Sequence, residues 1–324
     1  MICEKSLNIP QPTNCHGRIQ FFGFITRLDA SHKTPRPIQI LGVASGMGAP
    51  DTCCADGPAA IRATDLLDTL LKNGANIRWR DTLLPTPSDT PLADITDVCS
   101  RLAAQVRALV SEHGLAVVLG GDHSCAIGTW SGVSSAVRTW GGGTPGLVWI
   151  DAHMDSHTPE TSLSGRIHGM PLAVLLGHGA PELVDLEGFS PKLLPENVAL
   201  VGVRSYERAE ADLLERIGVK VFFMDEVHRR GMRAVMHEAL LIANRNTQGY
   251  GISIDLDAFS PRESPGVGSP IPDGLHHLEL DLLLKGIARD PRLLAIELAE
   301  FNPHRDVHGK TLALIRQMLL SMLS

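Results

Sequence analysis

The 324-residue sequence has no CxxC pair, no run of Lys and Arg, no apolar stretch of membrane length and no internal repeat. Each absence removes a class of protein. The longest apolar stretches are broken by Gly, Asp or His well short of the about 20 residues that a membrane-spanning helix needs, so no membrane partner and a soluble chain are expected. Lys and Arg total 29 against 36 Asp and Glu, a formal net charge of −7, and a mildly acidic chain without basic clusters is not built to bind nucleic acid. The six cysteines (Cys3, Cys15, Cys53, Cys54, Cys99 and Cys125) follow no regular spacing, and no secretory apolar segment follows Met1. Reduced thiols and a cytoplasmic location are therefore expected. Adjacent Cys53 and Cys54 lack the His or Cys partners of a thiolate metal site. What is present is core material: 44% of residues are hydrophobic and 20% charged, which excludes disorder.

Residues 1–36 are polar, dotted with proline and aperiodic, and read as an N-terminal extension; residues 37–324 read as a single domain with no linker. From residue 38 onward, short apolar runs alternate with segments of helical period. The runs are 38–43, 76–79, 115–119, 147–150, 198–203, 219–223, 251–254 and 293–298. They are nearly continuous rather than alternating, which is the pattern of strands buried on both faces of a parallel sheet. Helices are expected over 58–72, 92–112, 124–139, 207–217, 278–288 and 308–323, several of them ending at or just before a glycine. This alternation predicts an α/β domain with a mainly parallel eight-stranded sheet and helices on both faces. Ligands of such sheets bind beyond the carboxyl ends of the strands.

Three strand ends carry the chemistry. Gly120-Gly121-Asp122-His123-Ser124 follows the third run, Asp151-Ala152-His153-Met154-Asp155 the fourth, and Asp255-Leu256-Asp257 the seventh. In extended backbone, alternate residues face one side, so Asp151, His153 and Asp155 are expected to converge with Asp255, Asp257 and His123. Four carboxylates at one sheet edge repel each other, and no Lys or Arg lies within these motifs to neutralise them. Two divalent cations sharing carboxylates answer the problem. A ligand set of oxygen and imidazole nitrogen without thiolate favours Mn²⁺, with Fe²⁺, Co²⁺ or Ni²⁺ as alternatives. Asp122 reads as a partner of a metal ligand, Cys125 as a packing residue and Arg204 as an ion-pair partner at the sheet edge.

In this order, GGDHS, DAHMD and SIDLD resemble the ureohydrolases (arginase, agmatinase and formiminoglutamase), most closely the arginase branch. The segment Asp155–Pro171 resembles the arginase active-site loop in length and spacing, and Gly46–Arg62 resembles the arginase opening. The resemblance spans about Ile38 to the C-terminus and implies a three-layer αβα fold of the arginase and deacetylase type. It implies that His123, Asp151, His153, Asp155, Asp255 and Asp257 hold two Mn²⁺ ions, with Asp155 also serving catalysis. It further implies that Glu300 binds the substrate guanidinium, that His168 assists proton transfer, and that Ser162 and Ser164 meet the amino-acid end of a small guanidino substrate. The implied reaction converts L-arginine and water to L-ornithine and urea, and the family assembles as trimers or hexamers. Two such ions holding a water lower its pKa from about 15.7 towards about 7, which suits an electrophile as poor as a guanidinium carbon.

Four positions depart from the arginase pattern: His157 stands for Asn, Glu207 for the Asp that meets the α-amino group, Ser260 for the last Asp of DxDxxDP, and Arg166 for the Asn before the shuttle histidine. They leave other ureohydrolases open, acting on agmatine, guanidinobutyrate, guanidinopropionate or formiminoglutamate. A zinc-dependent deacetylase of the same fold is a further alternative, although six ligands suit two metals better than one.

Overall fold

Runs of Val, Ile and Leu form eight strands: β1 (Ile38–Val43), β2 (Ile77–Leu83), β3 (Leu115–Leu119), β4 (Gly146–Ile150), β5 (Val198–Val203), β6 (Lys220–Phe223), β7 (Tyr250–Asp255) and β8 (Leu293–Ala299). The computed structural model describes residues 36–324, so of the expected extension over 1–36 only Arg36 falls within it. The strands make one sheet in the order β2-β1-β3-β8-β7-β4-β5-β6, with every pairing parallel. Alternate residues feed two cores, as a sheet covered on both sides requires. Leu115, Val117 and Leu119 of β3 pack on one face, and Ala116 and Val118 on the other. Helices Pro91–Ser111 and Cys125–Thr139 cover the second face; Leu66–Lys72, Met232–Ala243, His277–Leu284 and Lys310–Leu323 cover the first.

Strands β3, β4, β5, β7 and β8 are buried along their whole length, and each fully buried Val, Leu or Ile contributes about 1.5–3 kcal/mol. Packing there is tight enough to dictate glycine: a Cβ on Gly251 of β7 would lie 2.0 Å from the Trp130 ring. At the strand starts, Arg36 donates to the carbonyls of His113, Gly114 and Leu293, tying the entry of β1 to those of β3 and β8. Among the described residues, no helix is long and apolar enough to cross a membrane.

The expected elements are present, with informative differences. β2 runs to Leu83 rather than ending at 79, because as an edge strand its outer half alternates in burial and loses the continuous apolar signature. The expected helix over 58–72 is two helices, Gly57–Arg62 and Leu66–Lys72. Helix 278–288 stops at Leu284, and Gly286 in left-handed backbone leads into a short 3-10 turn. Two helices, Met224–Arg230 and Met232–Ala243, lie in a stretch for which no element was expected.

Candidate metal centre and substrate cleft

The functional groups leave the four adjacent central strands at their carboxyl ends. β3 leads to His123, β4 to Asp151, His153 and Asp155, β7 to Asp255 and Asp257, and β8 to Glu300. All seven candidates for metal and guanidinium binding are thereby brought to one end of the sheet, and five of them (His153, Asp155, Asp255, Asp257 and Glu300) line one cleft. The cluster has two lobes. One ligand atom each from His123, Asp151, Asp155 and Asp255 lie within 4.8 Å of one another, and the same holds for Asp151, His153 and Asp257. Asp151 joins the lobes: its Oδ2 is 3.3 Å from His123 Nδ1 and its Oδ1 is 3.6 Å from His153 Nδ1.

The convergence does not follow from extended backbone. Asp155 has φ 49°, in the left-handed region that costs a non-glycine residue of order 1–3 kcal/mol, and Glu300 has φ 67°. Asp257 lies in the 3-10 turn after β7, with its N–H donating to Asp255 Oδ1 at 2.8 Å. Turns, not strand alternation, aim these carboxylates.

The donor set fits divalent cations on one telling observation. His123 Nδ1 is buried and makes no hydrogen bond, although Asp155 Oδ2 lies at 3.0 Å, Asp255 Oδ2 at 3.1 Å and Asp151 Oδ2 at 3.3 Å. A proton on that nitrogen would serve none of the three oxygens well, whereas a cation among them would serve all four atoms. The acidities tell the same story. Burial, joined by the charge of Asp151, pushes Asp155 up to about 7, and burial with Asp257 and Asp151 pushes Asp255 well above the carboxylate range. Burial also works against a charged His153, but Asp257 and Asp151 outweigh it and raise the ring to about 12. A negative cluster this deep requires positive charge. His123 is fixed from behind, with its ring stacked on Trp149 at 4.2 Å between centroids.

Beside the cluster, Glu300 Oε1 accepts the His123 N–H at 2.9 Å and lies 3.2 Å from His168 Nδ1. Burial opposes a charged His168, but the Glu300 contact and charge raise it to about 9; the same contact holds Glu300 below its ordinary value against the pull of burial. Gly48 anchors both sides of this corner. Its N–H donates to Asp122 Oδ2 and its carbonyl accepts from the His168 N–H, and a Cβ there would come within 2.5 Å of Asp122 Oδ1.

The cleft above encloses about 250 Å³. One wall is His157, Glu207 and Glu210; the loop bearing Ser162, Ser164 and Arg166 forms the rim, with Ser269 opposite. His157 Nε2 is 3.4 Å from Glu210 Oε2 and 3.6 Å from Glu207 Oε2, and its Nδ1 is 3.2 Å from Thr161 Oγ1. Ser162 and Ser164 brace the rim by accepting from the Gly165 and Arg166 N–H groups. A larger surface groove of about 660 Å³ runs along β2 between Arg78 and Gln105 and holds none of these groups, so size alone does not locate the chemistry.

Two assignments are corrected. Arg204 is not an ion-pair partner: its guanidinium donates to the carbonyls of Gly202, Asp257, Ala258, Ile271 and Pro272, pinning the loop that carries Asp257 and Ser269. Asp122 spends its carboxylate on the Gly48 and Ser124 N–H groups and not on a candidate ligand side chain. Ser260, which departs from the family pattern, initiates a turn, its carbonyl accepting from the Glu263 and Ser264 N–H groups. Cys125 is buried with its thiol pushed up by burial and Glu297, which agrees with packing. Sequence reasoning missed Glu210, a buried carboxylate accepting from the Ser156 and Glu207 N–H groups. The Glu207-x-x-Glu210 spacing, that of a capping box, was the available signal. It also missed Ser269, in an aperiodic loop with no such signal.

The eight-stranded parallel sheet with its cluster at the carboxyl ends of the central strands has the fold of a solved formimidoylglutamase from Bacillus subtilis, with TM-score 0.71 at 21% identity, covering 90% of this chain and 87% of that one. The chain belongs to the arginase family, whose sequence model matches residues 36–324. The arginase of Bacillus caldovelox is 37% identical over 286 residues, covering 85% of this chain and 94% of its own. The crystal structure of the Bacillus subtilis arginase superposes with TM-score 0.81 at 35% identity, covering 89% of this chain and 99% of that one.

Proposed function

We propose that this chain is an arginase, hydrolysing L-arginine to L-ornithine and urea with two manganese ions held by His123, Asp151, His153, Asp155, Asp255 and Asp257. The observation that carries the reading is the buried, unbonded His123 Nδ1 facing three carboxylates beside the Glu300–His168 pair. Bound divalent cations would neutralise the cluster and make a water nucleophilic at neutral pH. Glu300 presents its second oxygen to the planar guanidinium, since Oε1 already serves His123 and His168. As the carbon–nitrogen bond breaks, the departing amine needs a proton, and His168, held charged beside Glu300, is positioned to give it. Around the rim, Glu207 and Glu210 suit an α-ammonium. Ser162, Ser164 and Arg166 suit an α-carboxylate, and the Arg166 guanidinium makes no ion pair among the described residues. A substrate charged at both places is an amino acid rather than agmatine. We further infer that residues 37–324 carry the catalysis, with 1–36 an extension, and that the chain works in the cytoplasm as a homo-trimer or hexamer, in keeping with its free thiols and its family.

The test is urea release by the manganese-loaded protein from arginine, agmatine, guanidinobutyrate and guanidinopropionate in parallel, with formiminoglutamate hydrolysis followed alongside. Arginine is expected to be turned over at least tenfold better than the others. A clear preference for agmatine would refute the arginase assignment while leaving the metal centre standing.

A further inference from the structure

Behind the metal cluster, on the face covered by helix Cys125–Thr139, a carboxylate is buried in the middle of the sheet. Glu297 of β8 is fully inaccessible and has no Lys, Arg or His within ion-pair distance among the described residues. Such a group is expensive to bury unless its neighbours satisfy it and a charge answers it. The neighbours are four donors. Thr129 Oγ1 lies at 2.5 Å and Cys125 Sγ at 3.5 Å from Oε1; Trp130 Nε1 lies at 3.1 Å and Ser253 Oγ at 2.8 Å from Oε2. Trp130 can only donate, and the three hydroxyl and thiol groups can all donate together only if both Glu297 oxygens accept.

That census fixes the direction of a hydrogen-bond chain. Ser253 spends its single proton on Glu297, so its oxygen is left to accept, and His123 Nε2 is 3.0 Å away. His123 must then carry its proton on Nε2 and turn the lone pair of Nδ1 toward the three carboxylates of the cluster. The sheet register holds the chain in place: Glu297 pairs with Ser253, and Ser253 with Trp149, whose ring stacks on His123 and whose Nε1 donates to Asp151 Oδ2 at 2.9 Å.

We propose that Glu297 is a positioning residue for the metal centre, acting through Ser253 to fix the tautomer of His123 and to make Nδ1 a stronger donor to the cation in the His123 lobe. It touches neither substrate nor cation. A cation bound in the cluster would be linked to the buried Glu297 carboxyl through the imidazole and Ser253, which gives a carboxyl in the middle of the sheet a purpose. The inference rests on the metal reading given above, and its test separates the two.

The experiment is manganese titration of the chelator-stripped full chain by calorimetry, comparing the parent with Glu297→Gln, Ser253→Ala and the double variant, with melting temperatures recorded with and without manganese. Loss of a hydrogen-bonded partner of a ligating histidine lowers metal affinity about 10–100-fold. Each single variant is expected to weaken one of two binding steps by that factor, and the double variant no more than the stronger single. Should Glu297→Gln fail to fold, Ser253→Ala decides alone, because it cuts the chain and leaves Glu297 its other three donors. Binding of both ions at parental affinity by Ser253→Ala overturns the proposal. So does a fall in melting temperature equal with and without manganese, which marks a merely structural role. A parent chain that takes up no divalent cation defeats the metal reading itself, and this inference with it.

Discussion

The single oxygen that Glu300 offers to both the His123 N–H and His168 makes the His168 ring the best reporter of the site at the level of one side chain. Burial alone would lower its pKa below 6.5; Glu300, Asp155 and Asp122 reverse the sign and bring it to about 9. A group raised on folding stabilises fully below its unfolded value, and that stabilisation is lost as pH rises through the folded one. The metal-free protein should therefore lose stability between about pH 6.5 and pH 9, and His168→Asn should flatten that decline, as read from urea midpoints across the range. Parallel curves for the two proteins would contradict the pairing. At this scale the sequence is partly legible. The candidate ligands follow from three short motifs, because aspartate and histidine clustered at strand ends have few other physical uses. Glu297 does not follow, since what distinguishes a buried carboxylate from a surface one is its neighbours in space, and for Glu210 the capping-box spacing marks a helix start and not a cleft wall.

At the scale of elements, legibility tracks burial. The central strands are mostly apolar and buried along their length, which is why their bounds agree with the sequence reading to within a residue or two. β2 shares its outer half with solvent, and the stretch from Met224 to Ala243 is split by Gly231 into two short helices whose joint period is broken. Asp155 shows the opposite failure: it joins the cluster through a turn and not through strand alternation, because left-handed backbone at a non-glycine residue is dictated by surrounding structure and leaves no local signature. The fit between helix Cys125–Thr139 and β7 gives a direct test. Gly251→Val would drive its side chain into the Trp130 ring, which a Cβ alone would approach to 2.0 Å. Overpacking of this kind costs about 1–3 kcal/mol, so the unfolding free energy from denaturant melts should fall by about that much and the midpoint with it, with Gly251→Ala intermediate. A midpoint unchanged in Gly251→Val would show that the helix is free to retreat from the sheet.

For the molecule as a whole, the cluster couples folding to metal. In the folded chain its carboxylates are buried together, while in the unfolded chain they are hydrated and far apart, so a cation binds the folded form selectively. Ligand at about 100 times its dissociation constant adds about 2.7 kcal/mol of stability, enough to raise the melting temperature of a chain this size by several degrees. Stripping the protein with a chelator should lower its melting temperature by that amount, and adding manganese should restore it. Asp155→Ala should show a much smaller metal-induced shift. An undiminished shift in that variant would remove Asp155 from the ligand set.

Parallel strands also give the sheet two unlike rims. Every reactive group discussed above emerges where the strands finish, whereas where they start Arg36 merely clasps three carbonyls and buttresses the entries of β1, β3 and β8. The molecule is thus polarised into a working end and an anchoring end, separated by the full length of buried strands. A tether, label or immobilising support attached at the anchoring end would leave the mouth of the cleft open to solvent.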